Sequence, residues 1–241
     1  MPWNLQGRVA VVVGASSTVG RQVASRLADE HRMRLACVSR RGCGSSLPSG
    51  CVAFKADLTV APESDTVMKQ VKETLGPVSL LVNCAGVTLN KIHVRCTDTD
   101  YDVLMNVNLR GALHITRSAL RHGGMLQVGD GSVVHIGSLV GCMGNEGQVI
   151  YSASKAALSG AVKSWAREYG PKNIRFNVIA PALIEGEGMA TTLTENQIEE
   201  WRQRCPLRRL ATVTDVVDAV VGVACCPFIS GQTIHVDGGM W

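Results

Sequence analysis

The chain has 241 residues, 46% of them apolar and 18% charged, with a formal net charge of +4. That length and composition suit one α/β domain with a full-sized core and exclude a disordered chain. The positive excess is too slight and too scattered to imply nucleic acid, and no nucleic-acid partner is expected. No run approaches the roughly 20 apolar residues that cross a bilayer, so a soluble protein with no membrane partner is expected.

The nine cysteines form no C-x-x-C pair, a pattern of reduced thiols in an intracellular compartment, and no metal is expected. Met1 to Arg8 leads straight into an apolar strand, so neither a signal peptide nor a typical transit peptide is expected. The expected location is cytoplasmic, with a mitochondrial or other organelle matrix as the alternative.

Short apolar runs alternate with longer stretches of helical period, the pattern of βαβ units in a parallel sheet. The first strand is predicted over Val9–Val13 and its helix over 19–31. Between them stands Gly14-Ala15-Ser16-Ser17-Thr18-Val19-Gly20. Glycine there lets the backbone turn sharply and approach a pyrophosphate, while the helix N-terminus presents its positive end. A second strand over 35–38 runs into Ser39-Arg40-Arg41, with no acidic residue to accept a ribose hydroxyl. Arg40 and Arg41 suit a 2′-phosphate, so NADPH is the expected cofactor. Residues 40–50 read as a surface loop, followed by a strand over Val52–Lys55, a helix over Ala61–Leu75 and a strand over 80–82. A long helix is predicted over 99–121 and a strand over 132–136.

In the next predicted helix, 152–169, the spacing of Tyr151 and Lys155 puts phenol and ammonium on one face. A nearby cation lowers a phenol's pKa from about 10, which a general acid at neutral pH needs. A strand over 175–179, helices over Glu195–Arg204 and 214–225, and a strand over Thr233–Val236 complete the chain. The expectation is a single domain over residues 1–241, a doubly wound, seven-stranded parallel Rossmann sheet with a crevice at the strands' carboxyl ends. The stretch about 182–205, with Gly186 and Gly188, is expected to form a flap over that crevice.

From Gly7 to Met240 the chain resembles the short-chain dehydrogenase/reductase family, most closely its β-ketoacyl-[acyl-carrier-protein] reductases and the related mitochondrial carbonyl reductase. The loop Gly137-Ser138-Leu139-Val140-Gly141-Cys142-Met143-Gly144-Asn145-Glu146-Gly147-Gln148 and the end Val236-Asp237-Gly238-Gly239 resemble that subgroup. The resemblance implies a catalytic set of Asn108, Ser138, Tyr151 and Lys155. In it, Tyr151 donates a proton to the substrate carbonyl and Ser138 hydrogen-bonds the same oxygen. Lys155 holds the nicotinamide ribose and lowers the phenol's pKa, while Asn108 orders a water. The resemblance also implies cofactor contacts from Gly14, Ser16, Ser17, Thr18, Val19 and Gly20, from Asp57 and Leu58 at the adenine, and from Asn83, Ala85 and Gly86. Tyr151 and Lys155 count among these cofactor contacts too, and Pro181 and Ile184 complete them near the carboxamide.

It further implies 3-oxoacyl thioester reduction in fatty-acid synthesis, an acyl carrier protein as possible partner, and a homotetramer. A carbonyl or quinone reductase, a hydroxy-compound dehydrogenase, or a catalytically impaired partner subunit are the alternatives. The chain departs from the family at Thr18 and Ala182, where glycine is usual, and at Ser17, where many NADP-preferring relatives carry a basic residue. At the carrier-docking positions Gly129-Asp130 replaces basic residues, leaving Lys172 and Arg175.

Overall fold

The computed structural model describes residues 3–43 and 47–241. Met1 and Pro2, and Gly44 to Ser46 in the predicted surface loop, lie outside the described residues. Seven strands, β1 (Val9–Val13), β2 (Arg34–Ser39), β3 (Val52–Lys55), β4 (Val78–Asn83), β5 (Gly131–Ile136), β6 (Ile174–Pro181) and β7 (Thr233–Val236), form one sheet in the order β3-β2-β1-β4-β5-β6-β7. Every neighbouring pair is parallel. The order reverses at β1, so the chain winds outward in both directions, as the alternating pattern implied.

The strand sequences account for the burial. Val9 to Val13 is apolar throughout and wholly buried, as a strand covered on both faces must be. Its period of two divides the residues between two cores. Val9, Val11 and Val13 pack with Val67, Ile115 and Leu158 on one side. Ala10 and Val12 pack with Val23, Leu27 and Val217 on the other. Each fully buried valine contributes about 1.5–3 kcal/mol.

The helices covering these faces are α1 (Thr18–Ser25), α2 (Ala61–Leu75), α3 (Asp98–Met105), α4 (Gly111–Arg121), α5 (Met125–Val128), α6 (Val140–Met143), α7 (Val149–Tyr169), α8 (Glu195–Arg204) and α9 (Val213–Cys225). Capping boxes start three of them, pairing Thr97 with Asp100, Thr194 with Gln197 and Thr212 with Asp215. The structure corrects two sequence expectations here. The helix predicted over 19–31 ends its α-helical part at Ser25 and continues as a π turn over Arg26–Glu30. The helix predicted over 99–121 is broken by a second π turn over Asn106–Arg110. That bulge carries Asn108 inward, where it is 1% exposed.

Among the described residues, no helix is long and apolar enough to cross a membrane. All nine cysteines are free thiols.

Candidate active site

The carboxyl end of β1 leads into the glycine loop. Gly14 has φ +74°, a conformation that side chains rarely adopt, and a Cβ on it would lie 2.7 Å from the Ala85 backbone nitrogen. Gly20 is fixed by close approach instead, since a Cβ there would overlap the Gly14 carbonyl oxygen. Ser17 locks the turn, donating to the Gly14 carbonyl at 2.8 Å and accepting from the Gly20 N–H at 3.1 Å. Thr18, where the family has glycine, turns its hydroxyl to accept from the Arg21 guanidinium at 3.3 Å. The same guanidinium donates to the Ser16 carbonyl at 3.2 Å. The additional side chain is therefore tied to the helix side, and Thr18 lines neither of the two cavities that flank the loop.

The first of these, a cavity of about 300 Å³, runs from Gly14, Ser16 and Ser17 to Arg40, Arg41 and Asp57. Leu58, Ala85 and Gly86 complete that lining among the predicted residues. Both Thr59 donors engage Asp57, its N–H at 2.9 Å and its hydroxyl at 2.7 Å. The hydroxyl bond, aided by the Arg40 charge, holds the carboxyl below its ordinary range. Asn83 is buried and outside the cavity linings. Its Oδ1 accepts from the Ala85 N–H at 3.1 Å, and its Nδ2 lies 3.3 Å from His135 Nδ1. Asn83 thus shapes the turn that presents Ala85 and Gly86.

A second cavity, about 230 Å³, adjoins the first and shares Ser17, Cys84, Gly86 and Val87 with it. Ser138, Tyr151 and Lys155 all line it, as do Val19, Pro181 and Ile184. The helical spacing brings the Lys155 ammonium to 5.8 Å from the Tyr151 ring centroid. The ammonium donates to the Ile136 carbonyl at the end of β5, at 2.9 Å.

The electrostatics differ from the sequence expectation that Lys155 lowers the phenol. Burial raises the Tyr151 pKa, and the Ser138 hydroxyl pulls in the opposite direction without reversing the shift. Burial also lowers Lys155, to about 8. The phenol therefore keeps its proton at neutral pH, the form a proton donor needs. The lysine is charged below about pH 8 and neutral above it. We expect kcat/KM, which reports the free protein, to fall as pH rises through that value. In Lys155→Arg the fall should move to higher pH, which a pH–rate profile of the two proteins would establish.

Asn108 does not reach either cavity. Its Oδ1 accepts from the Val87 N–H at 2.8 Å, and its Nδ2 donates to the Val87 carbonyl at 2.9 Å and to Ser154 Oγ at 3.0 Å. The Asn108 side chain clamps the strand-end loop to α7. Asn108→Ala leaves two backbone groups of Val87 unpaired. It should destabilise the fold by about 1–3 kcal/mol in urea denaturation and lower turnover.

Sequence reasoning missed the opposite wall, where Thr88, Gln148, Leu183, Glu187, Met189 and Trp201 line the second cavity. Leu183, Met189 and Trp201 have the apolar signature of core, and only their placement, with Glu187, within the predicted flap pointed to them. Arg175, read as available for docking, is 7% exposed. Its guanidinium donates to the carbonyls of Val223, Ala224 and Ile229, so it is interior structure.

Residues 14–241 match a family model described as enoyl-(acyl carrier protein) reductase. The chain belongs to the short-chain dehydrogenase/reductase family. Relatives include a 3-oxoacyl-[acyl-carrier-protein] reductase of Mus musculus, 35% identical over 97% of this chain and 98% of the relative. The FabG enzyme of the same description from Escherichia coli K12 is 31% identical over 99% of each chain. A solved structure from Sinorhizobium meliloti 1021, described as a short-chain alcohol dehydrogenase, aligns with a TM-score of 0.89 at 28% identity. That alignment covers 98% of this chain and 97% of the other. Membership in this family makes the chain an oxidoreductase that uses a nicotinamide cofactor.

Proposed function

We propose that the protein reduces a 3-oxoacyl thioester to the 3-hydroxyacyl thioester with NADPH, in fatty-acid synthesis. The observation that carries this reading is the convergence of Ser138, Tyr151 and Lys155 on a cavity continuous with the glycine cradle. The cradle fits a dinucleotide. Its glycines stand where a Cβ would meet backbone, and at Gly86 a Cβ would lie 3.1 Å from Lys155 Nζ and 3.3 Å from Asn108 Oδ1.

When bound, the reduced nicotinamide supplies a hydride to the substrate carbonyl carbon. Tyr151 delivers its phenolic proton to the carbonyl oxygen, so C=O becomes CH–OH with charge balanced. Ser138 donates a hydrogen bond to the same oxygen and stabilises the charge developing there. Lys155, held by the Ile136 carbonyl, would bind the ribose and place a cation beside the phenolate left behind. Asn108 fixes Val87 and Ser154, and Ser154 in turn donates to the Tyr151 carbonyl at 2.7 Å. Asn108 is thus a positioning residue. Burial keeps the phenol of the free protein protonated, the form that donates to a carbonyl.

Arg40 and Arg41 are exposed side chains on the first cavity and would take the 2′-phosphate. Charge-assisted hydrogen bonds are worth about 1.5–3 kcal/mol. Both arginines are exposed, so solvent screening brings their joint worth down to about that of one such bond, and replacing both by alanine should raise the KM for NADPH by about tenfold to a hundredfold, with NADH unaffected. Steady-state titration with both cofactors checks this. Wild-type preference for NADH would remove the NADPH assignment.

Acyl carrier protein is the natural carrier given the names of the relatives. With Arg175 buried, and Asp130 held by Arg8, Trp3 and Asn173, Lys172 is the docking cation left of those read from the sequence. Exposed Phe228 and Trp241, 99% and 66% accessible, support assembly through the β7 edge into a homotetramer. The free thiols suit the cytosol or an organelle matrix. Segment 182–205, carrying α8, is the flap. The apolar wall would also admit a quinone. Comparing kcat/KM for acetoacetyl-CoA and for quinones decides between the substrates, and a preference for quinones would overturn the thioester reading.

A further inference from the structure

Beyond the Tyr151 cavity lies a third, about 290 Å³, enclosed by the flap, α9, β7 and the C-terminal residues. The two cavities share Ala182, Leu183 and Trp201. Leu183 and Trp201 belong to a small core cluster with Val140, Ala190 and Leu210, against which Tyr151 and Met240 pack. The partition between the reacting centre and the third cavity is therefore a layer of apolar side chains carried largely on the flap.

The polar side chains around the third cavity already have partners. Arg209 is forked onto Asp215 at 2.6 and 2.9 Å. Asp215 also caps α9 through Thr212. Asp237 accepts the N–H groups of Gly239 and Trp241 at 3.0 Å each. His235 Nε2 meets Cys142 Sγ at 3.2 Å, and Cys205 Sγ donates to the Asp237 carbonyl. With these groups engaged, a polar ligand finds little to bind. The free walls are Leu183, Leu207, Leu210, Ile234, Val236 and Met240, and they suit a hydrocarbon chain.

We propose that the third cavity receives the alkyl end of the substrate. The 3-oxo group sits at Tyr151, the thioester leaves through the open side of the cleft, and the chain passes between Leu183 and Trp201 as the flap shifts. The inference rests on the thioester reading and extends it, making the protein selective for chains longer than four carbons.

Ala219, on α9, lines the third cavity and is absent from the lining of the other two. The test compares wild type, Ala219→Phe and the milder Ala219→Val with NADPH and two substrates, acetoacetyl-CoA and 3-oxodecanoyl-CoA. Filling the cavity should lower kcat/KM for the long substrate by about tenfold or more in Ala219→Phe. Ala219→Val should show a smaller loss in the same direction, and acetoacetyl-CoA should be reduced at the wild-type rate. Equal effects on both substrates, or no effect on either, would overturn the proposal. So would a change confined to the sedimentation behaviour, because the cavity would then seat a second copy of the chain. Should wild type reduce neither thioester, the functional reading fails and takes this inference with it, an outcome visible before any variant is made.

Discussion

Tyr151→Phe is expected to lose about 10²- to 10⁴-fold in kcat, the range that positioned acid–base catalysis supplies. The ring remains, so its packing against the flap cluster and the shape of the cavity are kept. Only the hydroxyl is removed. Among the described residues no hydrogen bond joins it to the glycine loop, so NADPH affinity should stay within a few-fold of wild type. Single-turnover kinetics with acetoacetyl-CoA, beside a fluorescence titration of NADPH, separate the two effects. A large loss of affinity with turnover intact would mean that the phenol binds cofactor and another group donates the proton.

Gly20→Ala is the complementary experiment, aimed at the other end of the cleft. Its Cβ would overlap the Gly14 carbonyl oxygen and stand 2.9 Å from the Gly14 carbonyl carbon and 3.0 Å from Ala15 Cα. All three are backbone atoms and cannot rotate away. Such overpacking typically costs about 1–3 kcal/mol, and here relief means displacing the loop that Ser17 holds. NADPH should bind about tenfold or more weakly, since each tenfold corresponds to about 1.4 kcal/mol. The melting temperature should fall, and the Tyr151 region should be unchanged. Wild-type affinity in this variant would show that the diphosphate does not rest on this turn.

Strands were legible wherever burial is two-sided, because an unbroken apolar run such as Val9 to Val13 leaves no face suited to water. Tyr151 and Lys155 were legible because their four-residue spacing fixes them on one helix face, and Ser138 because the family resemblance singled it out just beyond the strand over 132–136. The π turn at Asn106–Arg110 was not. No glycine or proline interrupts residues 99–110, and the break accompanies the long-range clamp between Asn108 and Val87. The sign of the Tyr151 shift was missed for a related reason: sequence gives the neighbouring cation but not the desolvation that outweighs it. Arg175 looked like a surface cation because nothing local announces the three carbonyls, contributed by α9 and the loop after it, that enclose its guanidinium. The short helices over Met125–Val128 and Val140–Met143 have too few turns to show a period.

The most direct measurement is a structure of the protein with oxidised NADP and an acetoacetyl thioester. The adenine end should rest at Asp57 and Leu58, with the ketone oxygen about 2.6–3.2 Å from the Tyr151 hydroxyl, within proton-transfer reach. A dinucleotide bound away from the glycine cradle, or a ketone oxygen facing neither Tyr151 nor Ser138, would contradict the account.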